Sequence, residues 1–196
     1  MLQTGVNNQV VGIVTQSMII SLIDQNLHRF GALRTHTVND IVPGLVASLV
    51  TIDCQAPALN AYQKMSEFNI SGLAVTNLKG ELVDSISTKN LRLLGYKVHF
   101  YNRLLLTVEK YCLLDRKDER EENVWNINNI CVDITDTFET VIKKMKDGNV
   151  HSLYVCKMNS KQMIPTHVIT QRDIIRYVLY RLGMSPVTTQ ESPEFV

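Results

Sequence analysis

Thr170 and Asp173, a hydroxyl and a carboxylate three positions apart, offer two kinds of chemistry. At the start of a helix, unpaired backbone N–H groups and a partial positive charge favour an anion, and a threonine hydroxyl adds one more donor toward a phosphate. The same spacing is also close to that of a capping box, which satisfies a helix start in proteins that bind nothing. Two related stretches place Ser87 with Asn90 and Thr15 with Met18 at the equivalent positions. Neither asparagine nor methionine repeats the carboxylate of Asp173, and helix capping accounts for the hydroxyls of Ser87 and Thr15. Ile169, Ile86 and Val14 precede the three hydroxyls, where an apolar side chain can line a pocket or simply fill a core. Arg172 and Arg176 lie near the last helix start and can reach a phosphate, although arginine on a helical face is usually solvated.

Catalytic constellations are missing from this inventory. The sequence holds no G-x-S-x-G elbow, no P-loop, no G-x-G-x-x-G and no H-E-x-x-H, so neither nucleophilic nor metal-assisted catalysis is indicated. Cys54, Cys112, Cys131 and Cys156 are widely spaced without a C-x-x-C pair. They read as small buried apolar residues in a reducing cytosol or nucleus.

An internal repeat positions these residues. Met65 on Met145 also sets Lys64 on Lys144, Asn69 on Asn149, Leu73 on Leu153 and Val75 on Val155, and such self-similarity marks a recurring supersecondary unit. The first copy has a helix over 57–68, with Ala58, Ala61, Tyr62 and Met65 on one face. In the second, Thr137 caps a helix carrying Phe138, Val141, Ile142 and Met145. Short apolar strands follow at 72–75 and 153–156, then turns at 77–80 and 158–165, then a second strand. Three extra residues in the second turn shift the later match, pairing Ile86 with Ile169, Ser87 with Thr170 and Asn90 with Asp173. Closing helices are expected to include 91–94 and 174–182. With opening strands at 49–52 and 130–132, each copy reads β-α-β-β-α. Residues 11–20 match only the final strand, hydroxyl and helix. An amphipathic helix is expected over 101–114, a solvated charged loop over 115–122, and a frayed tail from Ser185.

The stretches 70–87, 150–155 and 167–175 resemble motifs of cystathionine-β-synthase-type (CBS) repeats. The likeness extends to the γ subunits of AMP-activated and sucrose-non-fermenting-type kinases, including plant γ-like proteins. It implies an α/β (α+β) fold in which tandem repeats pack as a Bateman module with an adenine-nucleotide cleft. The expected divisions are a partial CBS repeat over 1–40, a repeat over 41–97, a linker helix and charged loop over 98–129, a repeat over 130–183 and a tail over 184–196. A missing strand and helix would leave apolar surface in need of a partner, as in a truncated or degenerate relative. The resemblance assigns Asp173 to the ribose hydroxyls and His151 to phosphate, although Ser152 replaces the arginine typical beside that histidine. Without the guanidinium a bidentate phosphate contact is lost, and affinity for multiply charged nucleotides should be weak. AMP, ADP or ATP is the implied ligand, with none required for folding. Kinase catalytic and scaffolding subunits, or a second copy of the chain, are the implied partners. An adaptor that keeps the shape but has lost nucleotide chemistry is the alternative.

Composition agrees with a regulatory module. A net charge of +1, 20% charged and 45% hydrophobic residues give no basic excess for nucleic acid or an acidic membrane. No segment approaches the roughly 20 apolar residues that span a bilayer. A cytoplasmic or nuclear setting is expected.

Overall fold

A computed structural model describes residues 2–4, 10–42, 49–94, 98–118, 127–159 and 162–184. In chain order they form β1 (Leu2–Thr4), β2 (Val10–Ile13), α1 (Gln16–Gln25), α2 (Val38–Ile41), β3 (Thr51–Asp53), α3 (Ala58–Glu67), β4 (Gly72–Thr76), β5 (Leu82–Ser87), α4 (Val108–Asp118), β6 (Cys131–Val132), α5 (Phe138–Asp147), β7 (Ser152–Asn159), β8 (Gln162–Thr170) and α6 (Gln171–Arg181). Four 3-10 helices, Leu27–Thr35, Thr88–Leu94, Val98–Leu105 and Ile127–Ile130, join them. Two compact units result, one from Met1–Gly44, Thr135–Ser152 and Ile169–Val196, the other from Leu45–Ile134 and Leu153–Val168.

The repeat seen in the sequence reappears in the strand pairing. Parallel pairing of Thr51 with Ala74 and Ile52 with Val75 recurs as Cys131 with Tyr154 and Val132 with Val155, giving the sheets β3-β4-β5 and β6-β7-β8. Parallel neighbours need a crossover, supplied by α3 and α5. Each crossover helix ends the same way. Asn69 and Asn149 take positive φ, 50° and 47°, a conformation asparagine tolerates better than most non-glycine residues. The N–H groups of Ile70 and Val150 then reach back to the carbonyls of Met65 and Met145 at 2.9 and 3.1 Å.

The opening stretch contains more of a repeat than its sequence suggested. Besides the expected strand and helix, β1 pairs antiparallel with β2 through Leu2–Ile13, Gln3–Gly12 and Thr4–Val10, with a register shift before the last pair. The pairs Ala74–Ser85, Val75–Asp84 and Thr76–Leu82 of β4 and β5 show the same shift at the same place. Three-residue β1 escaped the sequence reading because so short a strand carries little periodic signal.

A second regularity lies at the helix starts. Ala58 N–H donates to the Leu106 carbonyl and Val108 N–H to that of Ala56, both at 2.9 Å. In the other unit Phe138 N–H donates to His36 at 2.7 Å and Val38 N–H to Asp136 at 2.9 Å. These bridges, centred on Pro57–Thr107 and Thr37–Thr137, correct the expected helix over 101–114. The backbone extends at Thr107 to meet Pro57, so a 3-10 helix stops at Leu105 and α4 starts at Val108. Amphipathic spacing on both sides of the break had suggested one continuous helix.

Other boundaries also move. The segment after Ser87 is a 3-10 helix rather than an α-helix. The three-residue insertion lengthens the hairpin: β7 runs to Asn159 and β8 resumes at Gln162 with Pro165 inside it, so the expected turn over 158–165 is mostly strand. Much of the expected charged loop, 119–122, and the tail from Ser185 fall outside the described residues.

One unit's core joins Ile52, Ala58, Ala61, Met65, Leu73 and Ile86 to Val108, Tyr111 and Cys112 of α4. Tyr111 is fully buried; its hydroxyl donates to the Asn90 carbonyl at 2.8 Å, and its ring meets Tyr62 edge-on at 6.0 Å. All four cysteines are buried thiols. In the other unit, α1 packs against α5 and α6, burying Ile20 and Ile23, while Phe30 lies 5.9 Å from Phe138. Arg34 and Lys143 grip opposite oxygens of Glu139, each with a contact of 2.7 Å, and Lys146 pairs with Asp24.

Candidate nucleotide site

Thr170 ends β8 with extended backbone and caps α6, its hydroxyl accepting from the Asp173 N–H at 3.3 Å. Asp173 Oδ2 in turn accepts from the Thr170 N–H at 2.9 Å and from its hydroxyl at 2.6 Å. The capping box is therefore closed, as local spacing allowed. Ser87 and Asn90, in the other unit, repeat the inward half of it: Asn90 Oδ1 accepts from the Ser87 N–H at 2.7 Å and its hydroxyl at 3.1 Å. Thr15 caps α1 through the Met18 N–H at 3.2 Å.

The same box recurs where no ligand residue was expected. Thr37 donates from its N–H and hydroxyl to Asp40 Oδ2, each at 2.8 Å. Those bonds, the backbone one foremost, hold the Asp40 carboxyl below its ordinary range.

Within the first unit, the starts of α1 and α6 come together around His151. The Gln171 N–H donates to the His151 carbonyl at 3.0 Å, as the Thr88 N–H donates to Ser71 at 2.9 Å in the first complete repeat. Gln171 is buried; its Nε2 donates to the Val150 carbonyl at 3.2 Å, leaving Oε1 as an acceptor. Ser17 donates to that oxygen at 3.2 Å, and His151 Nδ1 lies 3.3 Å from it and 3.4 Å from Ser17 Oγ. An amide oxygen cannot donate, so Nδ1 carries a proton in this arrangement. His151 is exposed, and Ile169 behind it is fully buried.

Thr170, Asp173, Ile169, His151 and Thr15 thus belong to one unit, and Ser87 and Asn90 to the other. Arg172 and Arg176 are exposed on α6. Ser17 and Gln171 were missed, because neither belongs to the hydroxyl-x-x-acid spacing and their meeting depends on distant elements. Among the described residues no group of three or more His, Cys, Asp or Glu side chains could hold a metal ion. No described helix is long and apolar enough to cross a membrane.

Residues 125–180 match the family model of the CBS domain. Solved structures extend the likeness in fold beyond that segment. A Methanocaldococcus jannaschii protein described as a candidate archaeal homologue of γ-AMPK aligns over 89% of this chain and 57% of its own, at 15% identity and TM-score 0.60. A Pyrococcus horikoshii protein aligns over 89% and 66%, at 15% and 0.61. The CBS domain of a bacterial CNNM/CorC family Mg2+ transporter, solved with ATP, aligns over 81% and 96%, at 17% and 0.54. The chain thus spans less than two thirds of the length of the first two proteins. No curated protein matches the sequence significantly. With the doubled β-α-β-β order, closed by a 3-10 helix in one copy and by α6 in the other, the fold is that of tandem CBS repeats, preceded by the hairpin and helix of a further, partial repeat.

Proposed function

We propose that this protein is a non-catalytic, γ-like regulatory module that binds an adenine nucleotide and modulates a protein kinase complex. The observation that supports this reading is the convergence of two helix starts, at Thr15 and Thr170, on an exposed histidine held by Ser17 and Gln171. Helix N-termini attract phosphate, and an imidazole fixed through Nδ1 leaves Nε2 for a further bond, a donor to phosphate when the ring carries both protons. Asp173 Oδ2 is committed to its capping box, so sugar hydroxyls would be taken by the remaining oxygen. The ATP-bound CBS relative and the γ-like archaeal relative make this ligand class reasonable. A bound nucleotide would regulate through different affinities for two states of the module.

Calorimetric titration with AMP, ADP, ATP and S-adenosylmethionine tests the reading. Saturable binding of an adenine nucleotide, lost in Asp173→Ala and weakened in His151→Ala, is expected. Pull-down should recover kinase catalytic and scaffolding subunits. One observation favours a second reading, that of a structural adaptor: the box at Thr170 and Asp173 is no different from the one at Thr37 and Asp40. Absence of both heat and thermal stabilisation would select the adaptor.

A further inference from the structure

Gln171 sets where the His151 ring carries its first proton. The side chain is 3% exposed and the residue is anchored twice, its backbone N–H donating to the His151 carbonyl at 3.0 Å and its Nε2 to the Val150 carbonyl at 3.2 Å. Turning the amide over would set Oε1 against that carbonyl, oxygen to oxygen, so Oε1 stays on the side of Ser17 and His151. Ser17 directs its one proton to Oε1 at 3.2 Å, which leaves its hydroxyl oxygen, like the amide oxygen, able only to accept from Nδ1. Were that proton turned to Nδ1 instead, the ring lone pair would face Oε1 at 3.3 Å with no hydrogen between them.

A neutral imidazole has one N–H, and this arrangement keeps it at Nδ1. Nε2 of the neutral ring then holds a lone pair, which repels a phosphate oxygen; with a second proton it becomes a charged donor. A ring free to exchange tautomers would escape this choice, since its single proton could move to Nε2. We propose that Ser17 and Gln171 are positioning residues that make nucleotide binding at His151 proton-linked: a phosphate taken by Nε2 brings one proton onto the ring. The proposal rests on the reading of His151 as the phosphate contact and adds the direction of its pH control. The bound form holds more protons than the free form, so affinity rises as pH falls and is lost as pH rises. Charged groups on the elements meeting at the ring do not take over that part. β2 carries none, and the first turn of α1 has no acidic residue. In α6, Asp173 Oδ2 is closed into the Thr170 cap, and Arg172 and Arg176 are exposed. At the end of α5, which leads into His151, Lys146 pairs with Asp24 and Asp147 is exposed.

AMP is titrated calorimetrically into the full chain from about pH 7 to about pH 8.5, a window in which the nucleotide's own phosphate, titrating near about pH 6, stays a dianion. At each pH, two buffers of unlike ionisation enthalpy read the protons taken up. Expected are net proton uptake on binding and an affinity that falls about threefold or more across the window. In Gln171→Met, which removes Oε1 while keeping the length of the side chain, the fall should shrink by about half or more. In His151→Gln, at an exposed position, the amide donates without titrating, so AMP should still bind while proton uptake vanishes. That variant and the two-buffer measurement decide the matter if the buried Gln171 substitution fails to fold, which circular dichroism checks. AMP binding with neither proton uptake nor pH dependence would overturn the inference and leave the nucleotide reading standing. So would a pH slope unchanged in folded Gln171→Met. Absence of AMP binding at every pH would overturn both.

Discussion

Asp173 and Glu139 show how single carboxylates serve the framework. Asp173 closes the cap of α6 with two donors from Thr170, and Asp173→Ala should cost about 1 kcal/mol in a urea titration whether or not a ligand binds. Glu139 is a charge-clamp case. Bonds from Lys143, then Arg34, hold its carboxyl below the ordinary 4.5. A lowered folded-state pKa adds stability above the unfolded value and loses it as pH falls through the folded one. Relative to Glu139→Gln, the native chain should therefore melt higher near neutrality, by about 1–3 °C for so exposed a clamp. The gap should shrink as pH falls below that ordinary value and close once the carboxyl is protonated in the folded chain as well, which paired melting curves across pH would show. Burial, with the Asp84 carboxylate adding to it, raises the Tyr154 phenol well above its ordinary range, so this side chain stays neutral in the folded protein.

At the scale of elements, the repeats are specified by their turns as much as by their apolar faces. Asn69 and Asn149 end α3 and α5 with the same positive φ. Asn69→Gly should be close to neutral, whereas a β-branched valine there should lose about 1–2 kcal/mol of unfolding free energy. Tyr111 ties α4 to the segment after β5. Tyr111→Phe removes its bond to the Asn90 carbonyl and should cost about 1 kcal/mol by the same measurement. Both asparagines stood in the sequence match. The break at Thr107 did not, because only the bridge to Pro57 explains why a helical pattern is interrupted there.

At the scale of the molecule, neither compact unit is a continuous stretch of chain. The helix α1 buries Ile20 and Ile23 in a unit whose other long helices, α5 and α6, come from the far end of the sequence. Residues 1–118 expressed alone should therefore be insoluble or unfolded. Coexpression with residues 127–184 should restore a soluble complex that copurifies, and failure of the halves to associate would contradict the packing of α1 on α5 and α6.

The repeat, its β-α-β-β-α order, the burial of the crossover-helix faces and the hydroxyl caps are local. Apolar spacing, a capping residue and a turn asparagine act over a few positions, so the sequence alone carried them. Which positions correspond between copies was legible as well, because matched residue types make matched backbone bonds. The gathering of Ser17 and Gln171 on His151, the break before α4 and the assembly of each unit from separate stretches of chain depend on which distant segments meet. Those meetings are set by the summed burial of side chains far apart in the chain, and only the tertiary structure decided them.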